Sequence, residues 1–218
     1  MNFTEKVYDR LKLLYTREPQ LFPSEQLPAK YRTAAVLIPL WPGVNGGVNI
    51  TFTQRTTSLP SHQGQVSFPG GGANPDDHST EMTALREFNE ELGVHHDHIK
   101  IMGRLDDAWS RFGFHITPYV GWIDGEPNFN PDANEVDKII TADIQSLMQL
   151  GVSCTHDFIV NGIPRKSQAF DWEGGYVWGV TADLLLELLL WIREEPSNRG
   201  EFRLSAMKQY MEWERSEE

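Results

Sequence analysis

Arg86-Glu87-Phe88-Asn89-Glu90-Glu91-Leu92-Gly93-Val94 sets three carboxylates within five residues. On an α-helix Glu87, Glu90 and Glu91 stand at i, i+3 and i+4, so they share one face with Cβ atoms about 5–6 Å apart. Carboxylates so placed repel one another and weaken the helix unless a cation compensates. Hard oxygen donors suit magnesium or manganese, which keep water ligands and accept phosphate oxygens as well. Arg86 lies four residues before Glu90 and can pair with or orient it. Met82, Leu85, Phe88 and Leu92 form an apolar stripe expected to face inward, and Gly93 supplies the helix stop. A Glu-rich stretch by itself is more often a solvated helix face. The full pattern R-E-x-x-E-E-x-G is rarer, arising by chance on the order of a few times per ten thousand chains of this size.

Upstream, Pro69-Gly70-Gly71-Gly72 leads toward this helix. Consecutive glycines let backbone groups approach a ligand closely. A backbone carbonyl of Gly71 is therefore expected to face the metal. Farther out, Ala34 to Leu40 reads as a buried strand. Val48, Ile50 and Phe52 alternate with polar residues, as in a half-buried strand, and the pair reads as a hairpin. Gly64 to Phe68, Ile99 to Leu105, His115 to Trp122 and Val136 to Ile140 read as further strands. Asn161-Gly162 is a hairpin signal. Helices are expected from Phe3 through Leu14, Ser79 to Leu92, Asp143 to Leu150, Thr181 to Glu195 and Glu201 to Arg215, with an irregular linker at Pro19, Pro23 and Pro28. This order indicates an α/β chain with a mixed sheet packed between helices. Trp109, Phe112 and Phe114 read as core rather than as a platform for adenine, and Trp178-Gly179 as packing and turn residues.

The chain has 218 residues, with 31 Asp and Glu against 19 Lys and Arg and a net charge of -12. Such a field repels polyanions, so no nucleic-acid partner is expected; a small anionic substrate is still compatible with local cations. A single cysteine, Cys154, forms no intrachain disulfide and suits a reducing cytoplasm. The first residues carry no signal-peptide core. The most apolar run, Ala182 to Ile192, is interrupted by Asp183 and Glu187 and is too short to span a bilayer, so no membrane partner is expected. The amphipathic terminal helices either cover the domain or pair with a second copy in a homodimer.

The block from Gly72 to Val94 resembles the Nudix box, G-x5-E-x7-R-E-U-x-E-E-x-G-U, at Gly72, Arg86, Glu87, Phe88, Glu90, Glu91, Gly93 and Val94. His78 stands where the box has its first glutamate. The resemblance implies an α/β/α sandwich with a mixed β-sheet, a Nudix domain over residues 31–195, an N-terminal helix and linker over 1–30, and a C-terminal helical extension over 196–218. It also implies Mg2+ (or Mn2+) held by Glu87, Glu90 and Glu91 with the Gly71 carbonyl assisting. Arg86 would be part of the catalytic set, and Glu90 or Glu135 would take the proton from water.

A second segment, Phe52 to Gly71, resembles the signature of the coenzyme A pyrophosphatase branch, approximately L-T-x-R-x-x-x-L-x-x-H-x-G-Q-V-x-F-P-G-G. It implies a small-molecule substrate, coenzyme A or an acyl derivative, cleaved to 4′-phosphopantetheine and adenosine 3′,5′-bisphosphate. Arg55, His62, Gly70 and Gly71 would bind it, with Arg55 and His62 as candidates for its 3′-phosphate. Asp77 matches one of two family aspartates, whereas Asn74 replaces the other. Two other readings stay open: a nucleoside diphosphate derivative such as ADP-ribose as substrate, and a non-catalytic ligand sensor, which His78 permits.

Overall fold

The computed structural model describes residues 1–22, 30–57, 64–160 and 163–216. A mixed sheet runs through the molecule. Its strand β1 (Arg32–Pro42) pairs in parallel with β7 (Phe114–Ile123) and antiparallel with β2 (Val48–Arg55). Next to β7 lie β5 (Ile99–Arg104) and β6 (Ala108–Ser110), and β8 (Val136–Asp143) flanks β2. Two short strands, β3 (Val66–Ser67) and β4 (Gly70–Gly72), complete the sheet: β3 pairs with β2 at Thr53 and Gln54, β4 with β1 at residues 34–36. A second antiparallel sheet consists of β9 (Cys154–Val160), β10 (Ile163–Trp172) and β11 (Gly175–Trp178). The strands on either side of the Asn161-Gly162 signal pair from Val160↔Ile163 outward, and the dipeptide itself lies outside the described residues.

Alternation along β1 divides the core. Ala35, Leu37 and Trp41 pack with Ala84, Phe88 and Leu92 of α2 (Thr80–Leu92). Ile38 and Leu40 pack on the opposite face with Val7 and Leu11 of α1 (Phe3–Lys12), Leu147 of α3 (Ile144–Leu150), and Leu185 and Leu188 of α4 (Gly179–Ile192). A strand covered on both faces reads as a continuous apolar run, which is why β1 was visible in the sequence. The result is the expected α/β/α sandwich. Among the described residues, no helix is long and apolar enough to cross a membrane.

Three local expectations need correction. The buried face of α2 is Thr83, Ala84, Phe88, Glu91 and Leu92; Met82 is 44% exposed and Leu85 only half-buried. β2 is buried on both faces, because Thr51 accepts a hydrogen bond from Trp41 Nε1 and Thr53 donates to Glu91. The glycine triplet is itself a strand, β4, paired with β1. Phe112 is exposed rather than core.

The two acids that interrupt the apolar run of α4 are also buried. Arg203 of α5 (Arg199–Ser216) pairs with both Asp183 and Glu187, and Arg199 pairs with Asp183. Arg17 bridges Asp106 at 2.5 Å and Glu187 at 3.2 Å. Buried charges are tolerated only when paired, so these contacts bind both terminal segments to the domain.

Phe88 is fully buried and Met82 is not. Phe88→Ala is expected to lower unfolding stability by roughly 3–5 kcal/mol, and Met82→Ala to stay within about 0.5 kcal/mol. Urea denaturation of both variants checks the reassigned face.

Candidate active site

Helix α2 begins at Ser79, whose side chain accepts from Met82 N, and ends at Gly93 with φ 70°. Any Cβ there would be strained in φ and would meet Asn130 O at 2.7 Å, so glycine is required. These two caps fix which turn of the helix faces the glycine strand.

Arg86 organises the acids. Its Nη1 donates to Glu87 Oε1 at 2.9 Å and to Glu90 Oε2 at 2.7 Å. Its Nη2 donates to Gly72 O at 3.0 Å and to Asp77 Oδ2 at 2.9 Å, and its Nε to Asp77 Oδ1 at 3.0 Å. Asp77 also accepts from Thr83 Oγ1 and from Asn74 N. The guanidinium holds the Asp77 carboxyl well below the usual carboxylate range and is itself pushed up. One planar cation with fixed donors thus ties the loop, the glycine strand and two carboxylates together, a role a lysine would not reproduce.

Glu87 lies directly over Gly71. A Cβ at residue 71 would stand 2.5 Å from the Glu87 carboxyl carbon, so only glycine leaves room for the acid. Burial raises the Glu87 carboxyl above its ordinary value; Arg86 opposes this, while Glu90 and Glu135 add to it. Glu91 is more deeply buried, 5% exposed. Its carboxyl is pushed up from 4.5 to about 8, first by burial and then by Glu87, with Glu135 adding and Arg55 and the Gly70 N–H opposing. Glu90 is the exposed member, with 55% of its side chain accessible.

The structure therefore brings together Arg55, Gly70, Gly71, Arg86, Glu87, Glu90, Glu91 and Glu135. Glu135 sits at the end of β2, where its carbonyl accepts from Thr56 N. Arg55 Nε is buried and makes no hydrogen bond among the described residues. His78 is exposed, and His62 lies outside the described residues. Sequence reasoning missed Thr53, whose hydroxyl reaches Glu91 at 3.5 Å. Strand alternation was the available signal, since Thr53 and Arg55 share a face.

The donor set fits a hard divalent cation: three carboxylates on one helix beside a glycine strand whose Gly72 carbonyl is turned to Arg86. Among the described residues, the histidine and carboxylate atoms that lie within 4.8 Å of one another belong instead to His95, His96 and Asp97, all exposed. The three α2 carboxylates are not drawn that close as a set; Arg86 Nη1 bridges Glu87 and Glu90. A cation binding both acids competes with Arg86 Nη1 for their oxygens.

Fold and site define a class: an α/β/α protein whose site is clustered carboxylate oxygen, suited to divalent cations and phosphate groups. The NUDIX domain model matches residues 30–153. A protein of Pectobacterium atrosepticum described as an uncharacterized Nudix hydrolase, NudL, is 34% identical over 182 residues, covering 81% of this chain and 91% of that one. Its counterpart in Yersinia pestis is 33% identical over 165 residues, covering 76% and 82%. A solved MutT/nudix family protein of Enterococcus faecalis shares the fold at TM-score 0.52 and 16% identity, over 90% of this chain and 76% of that one. The chain belongs to the Nudix family and is a Nudix hydrolase.

The raised Glu91 carboxyl has a defined sign. Its folded value lies above 4.5, so it favours the folded state below about pH 4.5, and that contribution is lost as pH rises toward about 8. Glu91→Gln is expected to raise Tm of the metal-free protein at pH 8 by at least about 2–4 °C, the equivalent of ~1 kcal/mol for a domain of this size. A divalent cation held by Glu91 would have to displace its proton. Calorimetric titration with Mn2+ at pH 7 in buffers of different ionisation enthalpy is expected to show release of about one proton.

Proposed function

We propose that this chain hydrolyses the diphosphate of coenzyme A or an acyl-coenzyme A with Mg2+ or Mn2+, giving 4′-phosphopantetheine and adenosine 3′,5′-bisphosphate. One observation carries the reading. The described ends of the segment that resembles the coenzyme A signature, Phe52 to Thr57 and Gly64 to Gly71, carry residues that lie against the carboxylate helix. Thr53 and the Gly70 N–H reach Glu91, Arg55 opposes its charge, and Gly71 underlies Glu87.

In this reading residues 31–195 are the catalytic unit, braced by α1 and α5. Glu87, Glu90, Glu91 and the Gly71 carbonyl hold the cation. When bound, it neutralises the diphosphate and polarises the attacked phosphorus. Arg86 keeps Glu87 and Glu90 at fixed spacing and is itself anchored by Asp77. Arg55 offers its guanidinium to phosphate oxygens, and His62 is assigned with it to the 3′-phosphate. Gly70 and Gly71 leave the backbone open to the diphosphate. The proton of the attacking water goes to Glu90 or Glu135.

A second reading keeps the chemistry and takes ADP-ribose or another nucleoside diphosphate derivative. Asn74 leaves room for it, because it stands where the branch has the second of its two loop aspartates.

Mass spectrometry of coenzyme A incubated with the protein is expected to show both products with Mg2+ and neither with EDTA. Turnover of ADP-ribose with coenzyme A left intact would reject the first reading. Glu91→Gln is expected to lose on the order of 10²-fold or more in kcat while staying folded. Glu135→Gln separates the two bases at saturating Mg2+. If Glu135 is the base, kcat falls roughly 10²–10⁴-fold and the acid limb of the pH–rate profile disappears. Near-normal kcat assigns the role to Glu90.

A further inference from the structure

A cleft of about 530 Å³ opens between the two sheets, lined on one side by Gln54 of β2 and by Gln65, which precedes β3, and on the other by His156, Asp171, Tyr176 and Trp178 of the small sheet. Its volume falls within the range of small-molecule sites. The small sheet supplies an ordered aromatic wall. The His156 and Trp178 rings stack at 4.0 Å with an interplanar angle of 18°. His156 Nδ1 is 2.8 Å from the Tyr176 hydroxyl, which fixes the imidazole plane. A further planar ring joins such a stack with little side-chain ordering.

The opposite wall is polar. Gln54 Nε2 donates one N–H to Gly64 O at 3.4 Å; its second N–H and its Oε1 are left side by side, the pattern that matches N7 and the N6 amino group of adenine, where guanine presents the two acceptors N7 and O6. Gln54 also connects the cleft to the carboxylate site. It lies in β2 between Thr53 and Arg55, and successive side chains of a strand point to opposite faces. Thr53 reaches Glu91, and Gln54 lines the cleft. Gly64, Arg55 and Glu135 gather at the same end of β2: Gly64 N donates to Arg55 O, and Glu135 O accepts from Thr56 N. A nucleotide passing this end has its base on one side and its diphosphate on the other.

We propose that the cleft is the subsite for the adenine base of the substrate, with Trp178 and His156 stacking on it and Gln54 reading its edge. This rests on the substrate being an adenine-containing diphosphate, a feature common to coenzyme A and ADP-ribose. Trp178, expected from sequence to be a packing residue, is then a specificity residue.

The test uses the full chain in EDTA with AMP as probe and GMP as control, followed by calorimetry, for the wild type, His156→Ala and Gln54→Ala. AMP is expected to bind the wild type at least about tenfold more tightly than GMP, and each variant is expected to lose about tenfold in AMP affinity. KM for the adenine-containing diphosphate that the enzyme cleaves is expected to rise by a similar factor, with kcat within about twofold. Circular dichroism melts verify folding, and if one variant fails to fold the other decides. No AMP binding by the wild type, equal AMP and GMP affinity, or unchanged affinity in a folded variant overturns the subsite. Coenzyme A cleavage with unchanged KM in His156→Ala overturns the subsite and leaves the coenzyme A reading standing. Lost AMP binding in the variants, with no coenzyme A cleavage by the wild type, does the reverse.

Discussion

Glu87 and Glu91 are pressed together against a strand that has no side chains, and this crowding is the constraint on which the rest of the molecule depends. Two acids on adjacent turns, one of them buried, are unfavourable in a folded protein. The fold tolerates them because other contacts hold α2 in place. Phe88, Ala84 and Leu92 anchor the helix on β1, and the Ser79 and Gly93 caps set its ends. Arg86 fastens its outer face to Asp77 and to Gly72 O. Stability supplied by the apolar side is what allows repulsion to persist on the other.

The glycine strand is the other half of the arrangement. Gly71 has to lack a Cβ because Glu87 fills that volume, and Gly70 presents its N–H to Glu91. Pairing with β1 fixes both glycines relative to α2, since α2 packs on that same strand. One strand therefore sets the distance between backbone and carboxylates, so the site does not depend on the conformation of a long loop.

Most of this was legible in the sequence where the determinants are local. The carboxylate spacing, the apolar run of β1, the caps of α2 and the hairpin around Asn161-Gly162 are all patterns of a few residues. The illegible parts depend on partners distant in the chain. Asp183 and Glu187 read as interruptions of an amphipathic helix, yet they are buried because Arg17, Arg199 and Arg203 meet them. Met82 fitted the helical stripe as well as Ala84 did; only the position of β1 decides which of them faces inward. The glycine triplet carried no strand signal, because strand propensity disfavours glycine, and pairing with β1 overrides that preference. The aromatic cleft could not be seen at all, since His156, Trp178 and Gln54 converge only when the second sheet folds against the first.

Anomalous diffraction from crystals soaked in Mn2+ tests the central claim most directly. The account predicts one strong peak within coordination distance of Glu87, Glu90 and Glu91, with the Arg86 guanidinium turned away from the oxygens it now shares. Manganese at the exposed His95–His96–Asp97 cluster alone, with the α2 carboxylates still bound to Arg86, would contradict it.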